Sequence, residues 1–164
     1  MKRFTYILTG IFTFLLGSLS VPNTALIVAI DLGEWNDIHP DNKKDIGERL
    51  ALAAMKLAYK EEIVYSGPVF EKSVIDGNRI IISFTQTGTG LTTTDGERPN
   101  CFAIAGADKK FVWAKAAIHG NTIIVSSDAV QDPKYVRYAW SDNPVNPNLI
   151  NNEGLPASPF RTDN

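Results

Sequence analysis

TALIVAIDLGEWNDIHPDNKKDIGERLALAAMKLAY, residues 24–59, carries the first decision about the fold. Its opening, Thr24 to Asp31, is a continuous apolar run that ends in an acid, the look of a buried parallel strand. Asp31 to His39 is a loop rich in Gly, Asn and Asp, and Pro40 then opens a helix near its first turn, where its missing N–H costs nothing. Ile46, Leu50, Ala53, Ala54 and Leu57 fall at helical spacing, so the pattern predicts a helix over 41–59 with one apolar face. Asp37 and Asp41 near its start and Lys56 and Lys60 near its end suit the helix macrodipole. Strand, loop and helix in that order are an α/β signature.

From about Ile63 the period changes from helical to alternating. Ser73 to Asp76, the Gly77-Asn78 turn and Arg79 to Phe84 predict a tight hairpin. Cys101 to Ala105 and Lys110 to Ala116, joined through Gly106–Lys109, predict a second. His119-Gly120-Asn121 turns into Thr122–Ser126, and Tyr135 to Trp140 is a further strand. Short strands separated by turns predict an antiparallel sandwich. The tail, Ser141 to Asn164, is rich in Pro and Asn and is expected as an extended segment packed over another surface. The fold class is therefore mixed α/β, a strand–loop–helix followed by an antiparallel β-sandwich-like domain. One strand and one helix cannot bury a core of their own, so the helix's apolar face needs a sheet that these residues do not supply.

The chain has 164 residues, enough for one domain or two small pieces. A formal charge of −2 excludes the basic footprint of a nucleic-acid binder. One cysteine, Cys101, excludes an internal disulfide framework and a Cys-based zinc site, and two histidines leave little for a histidine-rich metal centre. Residues 1–20, MKRFTYILTGIFTFLLGSLS, have a basic start, an uncharged stretch from Tyr6 to Leu19, and Ser18 and Ser20 before a cut after Ser20. That is the pattern of a secretory signal peptide, and its apolar stretch is short for a membrane span. The expected location is periplasmic or secreted, with no membrane association after signal removal.

The sharpest chemical constellation is DLGEWNDIHP, residues 31–40, which gathers Asp31, Glu34, Asp37 and His39 between a strand and a helix. Loops beyond the carboxyl ends of strands in open α/β sheets are where ligands bind. A histidine with a carboxylate to set its tautomer is what a general base requires. The same loop also reads as a helix-capping turn in which Asp37 serves the helix end and His39 is merely polar. Metal binding by these four is the weaker reading, and no cofactor is called for. His119 reads as a solvated turn residue, and Lys109-Lys110 as a solvent-facing pair. Cys101 reads as a small buried residue. Trp113 and Trp140 have the residue type to stack on a sugar, but aromatic strand residues are more often core.

The run Ile30–Ala58 resembles the C-terminal end of bacterial sialate O-acetylesterases, members of the SGNH, or GDSL-like, hydrolase superfamily. The resemblance continues through IVYSGPVFE (63–71), FAIAGADKKFVWAKA (102–116), VRYAW (136–140) and GLPASPFRTD (154–163). It implies residues 21–61 as the C-terminal fragment of an SGNH hydrolase domain and 62–164 as a β-rich domain. It also implies an O-acetylated sialic acid or related sugar as substrate. In that family the histidine of the Ile-His-Pro step is the catalytic base, a step that His39 occupies. The usual Asp-x-x-His would put the orienting acid at Asn36, so Asp37 is the candidate, with Glu34 and Asp31 behind it. The superfamily's serine block, Gly-Asp-Ser, its glycine block and its Gly-x-Asn-Asp block do not occur in the 164 residues, and Ser66 in Tyr-Ser-Gly lies in none of them. The expectation is negligible esterase activity for these residues alone. Partners expected instead are an N-terminal esterase fragment that completes the sheet, or self-association through the helix face. The alternative from another class is a secreted sandwich module that binds glycans without chemistry.

Overall fold

The computed structural model describes residues 21–37, 39 and 41–163. The expected signal segment, 1–20, lies outside the described residues, as does Pro40. One helix, α1 (Lys43–Leu57), precedes ten strands: β1 (Val69–Asp76), β2 (Arg79–Thr85), β3 (Leu91–Thr93), β4 (Phe102–Ala105), β5 (Val112–Trp113), β6 (Lys115–His119), β7 (Thr122–Ser126), β8 (Tyr135–Tyr138), β9 (Leu149–Asn151) and β10 (Phe160–Arg161). All strand pairs are antiparallel, in a four-stranded sheet β1-β2-β7-β6, a second four-stranded sheet β10-β8-β4-β5, and the pair β3-β9. The described chain is thus mostly β with a single helix.

Alternation explains the layers. Ile80, Ile82 and Phe84 of β2 point inward with Ile123 and Val125 of β7, and meet Phe102, Ile104, Val136 and Tyr138 of the second sheet in one buried cluster. The expected hairpins are present, with Gly77 (φ 60°) and Gly120 (φ 59°) in the left-handed region at the two tight turns. The run Lys110–Ala116 is not one strand. It breaks at Ala114, whose N–H donates to the Phe102 carbonyl at 3.0 Å, so β5 stays with β4 while β6 crosses to the first sheet.

The tail is more than a cover. Phe160 lies 4.6 Å from Phe70 and 5.9 Å from Phe84, ring centre to ring centre, so the last strand sits in the middle of the aromatic core. Two buried asparagines hold its approach. Asn148 donates to Asp95 at 2.9 Å and to the Arg98 carbonyl at 3.1 Å, and Asn151 donates to the Ser66 carbonyl at 3.1 Å. Each amide exchanges buried backbone for side-chain partners, which is what lets an irregular segment run inside the fold.

The N-terminal part departs from expectation in two ways. Residues 24–29 form no strand, because among the described residues no neighbouring strand offers the ladder that a parallel strand requires. The helix starts at Lys43 with Asn42 as its cap, the Asn42 side chain accepting from Asp45 N–H at 3.1 Å. Its inward face is centred on Arg49 and Ala53, not on Leu50 and Ala54; Leu50 is 53% exposed.

Candidate active site

Arg49 explains the rotation of the helix. Its guanidinium reaches across to residues 28–31, donating Nη1 to the Val28 carbonyl at 2.6 Å and to Asp31 Oδ1 at 2.7 Å, and Nη2 to Asp31 Oδ2 at 2.6 Å. A bidentate pair of this kind fixes orientation as well as distance. Ile30 packs against the sandwich core between these anchors. The 31–41 loop therefore leaves from a point tied to the helix and to the β body alike. Asp31 is engaged by Arg49 and is not available to orient a histidine.

Asp37 and His39 are brought together. Asp37 Oδ1 accepts the His39 backbone N–H at 2.8 Å and lies 3.5 Å from His39 Nδ1. The second distance is a contact at the outer limit of hydrogen bonding. Glu34 supports the loop from the other side: its carbonyl accepts the Asp37 N–H at 3.4 Å, and its Oε1 accepts the Asp41 N–H at 3.2 Å. The His39 side chain is 79% exposed. This arrangement holds a backbone turn and presents an imidazole beside one carboxylate. Glu34 acts as a loop brace.

The other candidates separate cleanly. Ser66 Oγ donates to the Gly67 carbonyl at 3.1 Å. Burial raises the Cys101 thiol above its ordinary range, and its Sγ lies 3.1 Å from the Val145 carbonyl, so it is held as a thiol. His119 sits at the β6–β7 turn with its carbonyl accepting from Thr122 Oγ1 at 2.8 Å. Trp113 overturns the core reading of strand aromatics: it is 77% exposed. Among the described residues no three His, Cys, Asp or Glu side chains gather in a way that could hold a metal ion. No described helix is long and apolar enough to cross a membrane. Arg49 was the residue that sequence reasoning missed; an arginine on the more polar side of a helical stripe gives no signal until its partner carboxylate is placed.

The chain is similar to a carbohydrate acetylesterase from Xanthomonas citri whose crystal structure matches it with a TM-score of 0.88 at 49% identity, over 91% of this chain and 34% of that one. It is also similar to the sialate O-acetylesterases of Pongo abelii (27% identical over 154 residues) and Homo sapiens (28% over 156), each match covering 85% of this chain and 29% of the relative. No protein-family model matches the chain. The chain thus spans about a third of the length of the proteins it matches, and the resemblance read from its sequence, to a C-terminal portion of a carbohydrate esterase, stands.

Proposed function

We propose that these residues are the base-bearing portion of an SGNH-type sialate O-acetylesterase-like enzyme, in which His39 is the general base and Asp37 its orienting acid. The observation that carries the reading is the Asp37–His39 pair, held on a braced loop in a chain 49% identical to part of a carbohydrate acetylesterase. In the reaction a serine supplied by another part of the enzyme attacks the acetyl carbonyl while His39 Nε2 takes the hydroxyl proton. The tetrahedral intermediate collapses as His39 returns that proton to the departing sugar oxygen. His39 then removes a proton from water, whose oxygen attacks the acyl-serine, and returns that proton to the serine oxygen as the acyl–oxygen bond breaks, releasing acetate and the free serine. The substrate is an O-acetylated sialic acid or a related sugar, met in the periplasm or outside the cell.

Residues 21–61 are, in this reading, the end of the hydrolase domain, and 62–164 a sandwich domain that carries it. Exposed apolar side chains support this division: Leu50, Trp35 and Tyr59 leave large apolar surfaces open on and beside the helix, as expected of a face that packs against further structure. Mixing this chain with an upstream esterase fragment bearing the serine block tests it by acetate release from an O-acetylated sialic acid. Activity in the mixture and none in either part alone is the expected result; activity of the 164 residues alone above a His39→Ala control rejects it.

A further inference from the structure

The outer face of the second sheet holds a row of side chains that the esterase reading does not use. Ala103 pairs with Trp113 on one side and with Arg137 on the other, and Arg137 pairs with Arg161, so the four side chains lie in line across β5, β4, β8 and β10. Strand spacing puts the Trp113 and Arg137 backbones about 10 Å apart, with the small Ala103 between them and Phe111, two residues before Trp113, under the Arg137 guanidinium. Trp113, at one end of this trough, is 77% exposed.

The cationic end is rigid. Arg137 donates Nε and Nη2 to Asp163 at 3.0 and 2.5 Å, and Arg161 donates the same two groups to it at 3.0 and 2.6 Å. Each guanidinium also lies over an aromatic ring, Arg137 over Phe111 at 3.9 Å and Arg161 over Trp140 at 5.4 Å. Neither Nη1 makes a hydrogen bond among the described residues, and both arginine side chains keep about a third of their surface in solvent. Lys109 adds a third cation nearby, its Nζ donating to the Asp163 backbone carbonyl at 3.2 Å.

We propose that this trough binds a carboxylate-bearing sugar, one ring stacking its C–H face on Trp113 with its carboxylate on the Nη1 groups of Arg137 and Arg161. Charge selects this occupant. Arg137, Arg161 and Lys109 together outnumber the one negative charge of Asp163, which favours an anion, and planar guanidinium donors suit a carboxylate. A lone exposed indole flanked by cations lacks the broad apolar core of a protein interface. The site is separate from the His39 loop and asks for no acetyl group, so it takes product-like or unmodified chains as readily as substrate.

The test is a titration of the 164-residue chain, followed by tryptophan fluorescence, with sialyllactose, a glucuronate-terminated disaccharide and neutral lactose. The expected result is saturable binding of one or both acidic sugars at about millimolar Kd or tighter and at least tenfold weaker binding of lactose. Trp113→Ala, on a solvent-exposed side chain, is expected to weaken acidic-sugar binding about tenfold while leaving the melting temperature unchanged. Arg137→Lys, checked for folding by its melt, is expected to narrow the preference over lactose. Equal binding of lactose, no binding of either acidic sugar, or acidic-sugar binding that Trp113→Ala leaves intact overturns the proposal; the last two include the case in which this face instead docks another part of an esterase. None of these probes carries an O-acetyl ester, so failure here leaves the role of His39 standing.

Discussion

Single residues set the balance between order and chemistry in this chain. Asp163, whose side chain is 2% exposed, is held well below the usual carboxylate range by its hydrogen bonds and charge pairing, first with Arg137 and then with Arg161. A folded-state pKa below the unfolded value near 3.9 means that the contribution is fully present above that value and is lost as pH falls through and below it. The wild-type melting temperature should therefore fall more steeply below about pH 4 than that of Asp163→Asn, whose stability at pH 7 should itself be lower by about 2–3 kcal/mol in urea unfolding. Gly67 is a second decisive position. A Cβ there would stand 2.1 Å from the Pro156 carbonyl oxygen and 2.6 Å from that of Leu155, both backbone atoms with no room to turn aside. Gly67→Ala should cost about 3 kcal/mol by the same measurement. Neither position was legible in the sequence. A glycine before Pro68 reads as a turn, and an aspartate in the last residues of a chain reads as solvated, until the tail is seen folded back against the strand from β8. The contact between Asp37 and His39 was legible because they stand two apart in one short loop, and a local pair needs no tertiary information to be found.

At the scale of elements, the hairpins were readable because alternation and a Gly-Asn or Gly-containing turn are both local signals. The break at Ala114 and the entry of Phe160 into the core were not, since which sheet a strand joins is decided by distant partners. The same reason explains residues 24–29, whose apolar run suits a strand yet finds no ladder here. What holds this segment is Arg49. Arg49→Ala should free α1 and the loop before it, raising amide exchange in Lys43–Leu57 by about ten- to a hundredfold while the core strands β2 and β7 keep their protection. A uniform rise across both regions would mean that helix and sandwich unfold as one. The exposed flank of the helix carries its own consequence. If Leu50 and the neighbouring apolar surface await a missing sheet, the isolated chain should self-associate, and Leu50→Lys should shift sedimentation toward monomer without lowering the melt.

For the whole molecule, the described residues form an antiparallel sandwich with a loop and helix tied to it. The two four-stranded sheets close over one core. The segment, loop and helix ahead of them are anchored through Arg49 and Ile30, and in the proposed function they carry the base, His39. A carbohydrate acetylesterase of which the match covers 34% superposes on 91% of this chain, and the proposed function divides catalysis between the matching residues and other parts of such an enzyme. The most direct test is a chimera in which residues 22–164 replace the matching third of the Xanthomonas citri acetylesterase, assayed for acetate release with and without His39→Ala. The proposed role of His39 predicts an active chimera whose rate falls about 10²–10⁴-fold on the substitution, with its melt unchanged. A His39→Ala chimera that releases acetate as fast as its parent would contradict it.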